Sequence, residues 1–315
     1  MPTDVQALCD GIRYYYRQRA FAMEQRKRAN LALGSFLRMA LGWSLAQAAA
    51  DRDAIKAKAA NLLKIGEAVS LQAGKPNLEV IPGSDGAEYA EWRDLIAASI
   101  KARAPFDQVE AATKKEMARL ASQLPAWAAF GEGVKGFGAA SLAAIVGEAG
   151  NLSAYPKKGH LWKRMGVGLV DGVRQGDLPR TASKAAWIAH GYNRQRRSAM
   201  WNIGDAMIKT GEAYREVYLA RKAFEQAKAT EAGLIVAPSA KIPAKRAAEF
   251  ISDGHIHRRA QRYMEKRLLR DLLQAWKRCE ADAEMPPEAM RGEPRSAPKL
   301  LSEKIAKAHR EAIHA

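Results

Sequence analysis

Residues 134–146 read Val134-Lys135-Gly136-Phe137-Gly138-Ala139-Ala140-Ser141-Leu142-Ala143-Ala144-Ile145-Val146. Two glycines bracket a phenylalanine, and an alanine-rich, helix-forming run follows at once. That order predicts a helix-hairpin-helix element. The glycines let the chain turn tightly and approach another surface without a Cβ in the way. Phe137 would plug the core between the two helices. The N–H groups opening the second helix would then face outward, with the positive end of the helix dipole behind them. A backbone phosphate fits such a cradle without any reading of bases. An ordinary glycine turn between two packed helices accounts for the same residues.

The flanking charge favours the phosphate. Between Tyr155 and Met200 lie Lys157, Lys158, Lys163, Arg164, Arg174, Arg180, Lys184, Arg194, Arg196 and Arg197, against Asp171 and Asp177. Trp162, Trp187, Tyr192 and Trp201 are interleaved with them, as core residues or as stacking platforms for bases. A helix from His255 to Arg278 repeats the theme with Arg258, Arg259, Arg262, Lys266, Arg267 and Arg270. Ile256, Ala260, Met264, Leu268, Leu272 and Trp276 recur there at helical spacing and predict its buried stripe. Such a helix can track phosphates with its other face. It suits a dimer contact equally, so a homo-oligomer stays open.

Upstream, Ile12, Tyr15, Tyr16, Phe21, Leu31, Leu33, Phe36, Leu37 and Leu41 predict one long helix or two joined ones over 4–50. A second helix, capped by Asp51 or Asp53, runs to about Gln72. Gly74-Lys75-Pro76-Asn77 stops it, and residues 81–86 form a turn-rich connector. Helices near 89–102 and 106–123 follow, bounded by Pro105 and Pro125. Helical patterns cover 182–201 and 211–229. Residues 285–298 are proline-rich and charged, which predicts disorder before a short amphipathic C-terminal helix. The chain is therefore expected to be mainly α. Residues 1–124 form a helical, coiled-coil-like N-terminal domain, residues 125–282 the hairpin-bearing domain, and residues 283–315 a linker with a last helix.

The totals agree. In 315 residues, 51 Lys and Arg against 34 Asp and Glu leave a formal charge of +17. An excess of this size attracts polyanions, because each neutralised phosphate releases condensed counterions. DNA is the first expected partner and structured RNA the second. Two cysteines, Cys9 and Cys279, make no disulfide framework and suit a reducing compartment. The N-terminus lacks the order of a signal peptide, and no apolar run approaches a membrane span. These features predict a cytoplasmic protein with no membrane partner. His255 and His257 lack the spacing of a metal site, and no metal is expected.

The motifs in order resemble a known family. The Gly136–Gly138 hairpin, then Gly147-Glu148-Ala149-Gly150-Asn151-Leu152-Ser153-Ala154-Tyr155-Pro156, is similar to the C-terminal domain of the IS one-ten class of insertion-sequence transposases. The likeness continues through Leu161-Trp162-Lys163-Arg164-Met165-Gly166-Val167-Gly168-Leu169 and Ala189-His190-Gly191-Tyr192-Asn193-Arg194-Gln195-Arg196-Arg197. It ends in the helix from His255, and covers 125–278 with gaps. The resemblance implies DNA recombination on a mobile genetic element. It also implies an N-terminal RuvC-like domain with metal-binding carboxylates, and a serine nucleophile in a Ser-Gly pair after the Gly-Leu. Here Gly168-Leu169 leads to Arg174-Gln175-Gly176, so a glutamine holds the nucleophile's place. A carboxamide cannot form the covalent phosphoester.

The helical reading of residues 1–124 leaves no RuvC-like sheet on which carboxylates could hold Mg²⁺. Asp4, Asp10, Asp51, Asp53, Asp85 and Asp94 read as caps, turns and helix surfaces. The expected function is DNA binding through backbone phosphates without catalysis and without cofactor. The candidate contacts are Lys135, Gly136, Gly138, Lys157, Lys158, Lys163, Arg164, Arg174, Arg194, Arg196, Arg197, Arg258 and Arg262. One alternative is an active recombinase using Mg²⁺ and a rearranged serine site, with Ser183 near Asp177 as the substitute. Another is a helical scaffold of a mobile element.

Overall fold

The computed structural model describes residues 4–71, 84–179 and 181–283. The chain is mainly helical, as its periodicities predict, with no closed sheet among the described residues. The connector after Gln72, the proline-rich stretch and the C-terminal helix lie outside the described residues.

Three long helices come first: α1 (Val5–Ala40), α2 (Ala49–Leu71) and α3 (Ser84–Ala121). They carry no strand among the described residues. Asp4 caps α1, its Oδ1 accepting from Ala7 N at 3.0 Å. Asp53 pairs with Lys56 on the surface of α2, so these aspartates serve local ends and faces. Residues 15–115 form one compact unit and residues 4–14 with 116–283 form the other. The start of α1 thus belongs with the C-terminal part, where Cys9 and Ile12 are fully buried.

In the smaller unit Leu33 and Leu37 of α1, Ala59 and Leu62 of α2, and Tyr89 and Ile96 of α3 share a core. Gly66 lets α2 meet α3: a Cβ there would lie 2.3 Å from Ile96 Cγ2. The expected helix boundary at Pro105 does not occur, and α3 runs through it. Tertiary ties on both sides of the proline offset the lost hydrogen bond. Arg103 bonds Asn30 at 2.7 Å and Glu67 at 2.8 Å, while Arg26 reaches Glu110 at 2.8 Å.

In the larger unit a short π-helical turn (Trp127–Gly131) leads through the glycine hairpin into α4 (Ala139–Ala149) and α5 (Lys158–Arg164). Strands β1 (Leu169–Val170) and β2 (Val173–Arg174) make a hairpin, followed by α6 (Lys184–His190), α7 (Arg194–Thr210) and α8 (Ala213–Glu231). Strands β3 (Ile235–Ala237) and β4 (Phe250–Ser252) pair in parallel before α9 (Asp253–Ala283). The single helical pattern expected over 182–201 is broken into α6 and α7. Gly191 closes α6 in the left-handed region at φ 71°, and Asn193 caps α7 by accepting from Arg196 N at 3.1 Å.

Helix α9 is the spine. Its predicted stripe, Ile256, Ala260, Met264, Leu268, Leu272 and Trp276, is buried throughout. It lies antiparallel to α8: Glu225 meets Arg259, Arg221 meets Tyr263, and Tyr214 donates to Asp271 at 3.0 Å.

Candidate nucleic-acid interface

The hairpin gives its two glycines different surroundings. Phe137 is 2% exposed and meets Phe130 edge-on, with ring centroids 6.0 Å apart, so it plugs the core as expected. Gly136 adopts φ +84°, and a Cβ there would lie 2.8 Å from Thr210 Oγ1 and 3.1 Å from Met207 Cα. It faces the end of α7, inside the unit, rather than a ligand. Gly138 is exposed and open, and it caps α4 in an extended conformation. Lys135 is exposed too, but its ammonium pairs with Glu212.

The arginines of α7 do not form a common basic face. Arg194 is exposed. Arg196 ties α7 to α4 through Glu148 at 3.0 Å, and Arg164 joins them from α5, donating to the Glu148 carbonyl at 2.9 Å. Arg197 bonds Glu265 at 2.8 Å, and that carboxylate is 0% exposed. Burial raises the Glu265 carboxyl to about 7, with Arg197 pulling the other way. Arg196 and Arg197 therefore serve the core, because buried carboxylates claim them.

Gln175, in the expected nucleophile's place, is a staple. It is 1% exposed, and its Nε2 faces the carbonyls of Lys163 at 3.0 Å, His190 at 3.3 Å and Gly191 at 3.1 Å. His190 Nδ1 lies 3.2 Å from its main-chain oxygen. The carboxamide thus joins the ends of α5 and α6, a span the shorter serine side chain cannot bridge. Ser183 caps α6, its Oγ accepting from Ala186 N at 3.1 Å. Asp177 is paired with Arg174. Among the described residues no cluster of three His, Cys, Asp or Glu side chains could hold a metal ion. His257 instead bonds the Tyr218 hydroxyl at 2.8 Å.

The cations converge elsewhere, in an open cleft of ≈ 380 Å³ walled by β1–β2, α8 and α9. Asp171 and Gly172 turn the β-hairpin at φ 51° and 75°, the geometry of a two-residue type I′ turn. Cross-strand partners Leu169 and Arg174 face the cleft from there. Helix α8 contributes Arg221, Glu225 and Lys228, and α9 contributes Arg259, Arg262, Tyr263 and Lys266. On each helix the spacing of three or four residues places them on one face. Six cations and one carboxylate thus line the cleft, with Asp177 paired to Arg174 at its edge.

Glu225 holds Arg221 at 2.9 Å and Arg259 at 3.1 Å. The Arg221 guanidinium also lies 4.6 Å from the Phe224 ring centre and 4.8 Å from that of Tyr263. Lys266 lies 5.2 Å from the Trp162 ring centre, and Lys158 lies 5.6 Å from it. Arg262 is half-buried and makes no hydrogen bond or ion pair among the described residues. Burial, Arg197 and Arg174 lower its proton affinity. Nearby, burial and the charges of Arg259, Arg174, Arg258 and Arg262 push the His255 imidazole below its usual range.

No family model, curated protein or solved structure matches the chain. The likeness to insertion-sequence transposases thus rests on the quoted motifs.

Of the expected contacts, only Arg174 and Arg262 line the cleft; Lys157, Lys158, Lys163, Arg194 and Arg258 are exposed outside its lining. Sequence reading missed Arg221, Glu225 and Lys228. Their i, i+4, i+7 spacing marks one helix face, and Asp171-Gly172 between two valine-bearing pairs marks the hairpin. What the sequence lacks is the pairing of α8 with α9.

Proposed function

We propose that this chain is a DNA-binding protein that grips backbone phosphates through the cleft between α8, α9 and the β-hairpin, without chemistry of its own. The observation that carries this reading is a cleft lined by six cations and a single carboxylate, in which Arg262 and Lys228 have no ion pair among the described residues. Lys158 shares the Trp162 ring with Lys266 of the cleft, and Lys157, Lys163, Arg194 and Arg258 are exposed in the same unit. Lys and Arg in such a setting bind a polyanion by releasing its condensed counterions. The motifs around Gly136–Gly138 and Gly168-Leu169 resemble those of a transposase C-terminal domain, with Gln175 where the nucleophilic serine is expected. Gln175 and Ser183 support the non-catalytic half of the reading, since both side chains are already engaged in holding the fold.

The test is DNA affinity, duplex and single-stranded, measured across salt. Neutralising about four to six phosphates lowers the affinity roughly 10²–10³-fold between 50 and 200 mM salt. Failure to bind either form at low salt, or an affinity flat across that range, overturns the proposal.

A further inference from the structure

We infer that the cleft is a clamp for the phosphodiesters of a flexible single strand, and that its aromatic rings hold cations rather than bases. This rests on the nucleic-acid reading above and sharpens it.

Size and shape come first. At ≈ 380 Å³ and open to solvent on one side, the cleft has room for about one nucleotide of a passing strand. A duplex presents its phosphates on a rigid convex surface, whereas a single strand can fold them inward. The second observation is the state of the rings. Tyr263 already carries Arg221 and Arg267, with guanidinium centres 4.8 and 5.3 Å from its centroid, and its hydroxyl accepts from Arg267 Nη2 at 2.9 Å. Trp162, behind the lining residue Lys266, carries Lys158 and Lys266, and its Nε1 donates to the Lys266 carbonyl at 3.0 Å. Strand-binding proteins that stack bases leave such faces open. Here the rings fix long cationic side chains in place, lowering the entropy lost when a phosphate arrives.

The third observation is Arg262. This half-buried guanidinium has no ion pair of its own among the described residues. Arg197 and Arg174 oppose its charge, and the nearby Glu265 and Asp177, the first bonded to Arg197 and the second to Arg174, offset them only in part. Its burial becomes favourable when an anion enters, and a phosphate oxygen between Arg262, Arg259 and Lys228 supplies one. Binding function and resting stability are therefore opposed at this position.

The experiment uses the full chain at low salt. Fluorescence anisotropy compares a short oligothymidylate, an abasic strand of equal length and a duplex of equal length, on wild type, Lys228→Gln and Arg262→Met. The abasic strand should bind within about twofold of oligothymidylate. The duplex should bind about tenfold more weakly, and each variant should lose about tenfold for the strand, the worth of one charge-assisted contact. Arg262→Met should also raise the Tm without ligand by about 2–4 °C.

A large loss on removing the bases overturns the clamp, as does a duplex that binds equally well. A lowered Tm in Arg262→Met assigns that residue to the fold and overturns its role here. Wild-type affinity in Lys228→Gln, an exposed position whose change leaves folding alone, moves the site elsewhere while nucleic-acid binding stands. Absence of any binding by wild type sinks the broader reading itself.

Discussion

Helices α7 and α9 both carry runs of arginine, and sequence alone gives them the same meaning. The structure separates them. On α7, Arg196 and Arg197 are committed to Glu148 and Glu265, carboxylates buried at the contacts with α4 and α9. On α9, Arg259 is held by Glu225, but Arg262 enters the same cleft with no ion pair of its own among the described residues, beside the exposed Lys228. A cation is available to a polyanion only when no internal anion has claimed it. Net charge counts both populations alike.

The sharpest way to break this contrast is Arg197→Ala. It strands the Glu265 carboxylate in the core, and removing one partner of a buried pair costs about 3–5 kcal/mol. Chemical denaturation at pH 8 should show that loss. At pH 5 it should shrink, because Glu265 is then protonated and needs the guanidinium less. A penalty below about 1 kcal/mol at pH 8 would return Arg197 to the surface population. Arg258→Ala, on an exposed side chain, should change stability by no more than about 0.5 kcal/mol.

A second prediction concerns Glu265 itself. Its folded-state value, raised by burial to about 7, lies above the ordinary 4.5. The folded state therefore holds this proton more tightly than the unfolded chain. The associated stability is fully present below about pH 4.5 and is lost as pH rises toward 7. The shift corresponds to about 3 kcal/mol. His255 and His257, both lowered chiefly by burial, pull the opposite way as pH falls below 6.5. The wild-type curve thus mixes the two effects, and subtracting the Glu265→Gln curve isolates the carboxyl. A difference curve flat between pH 4.5 and 7 refutes the assignment.

What the sequence could convey follows from the range of each interaction. Helix periodicity is local, so the stripe from Ile256 to Trp276 is legible, as is the burial of Phe137. Proline and glycine signals are local too, but tertiary ties outrank them, as Arg26 and Arg103 do around Pro105. The cleft is illegible because Arg221 and Arg259 meet only when α8 folds back on α9 around Glu225. The fate of Arg197 depends in the same way on Glu265, far away in the chain.

The smallest expected effect distinguishes the two hairpin glycines, which sequence reading treats as one cradle. Gly136 sits at φ +84° against Thr210 and Met207, so Gly136→Ala incurs both backbone strain and a steric conflict. Its cost should be about 1–3 kcal/mol in denaturation experiments. Gly138 is extended and open, and its N-cap position lacks a side-chain hydrogen bond. Gly138→Ser supplies that acceptor and should stabilise α4 by a few tenths of a kcal/mol. If the hairpin were the anchoring surface, adding a side chain at Gly138 would also obstruct the strand. Unchanged oligothymidylate affinity in Gly138→Ser therefore leaves the cleft as the anchor, whereas a tenfold loss restores the hairpin to that role.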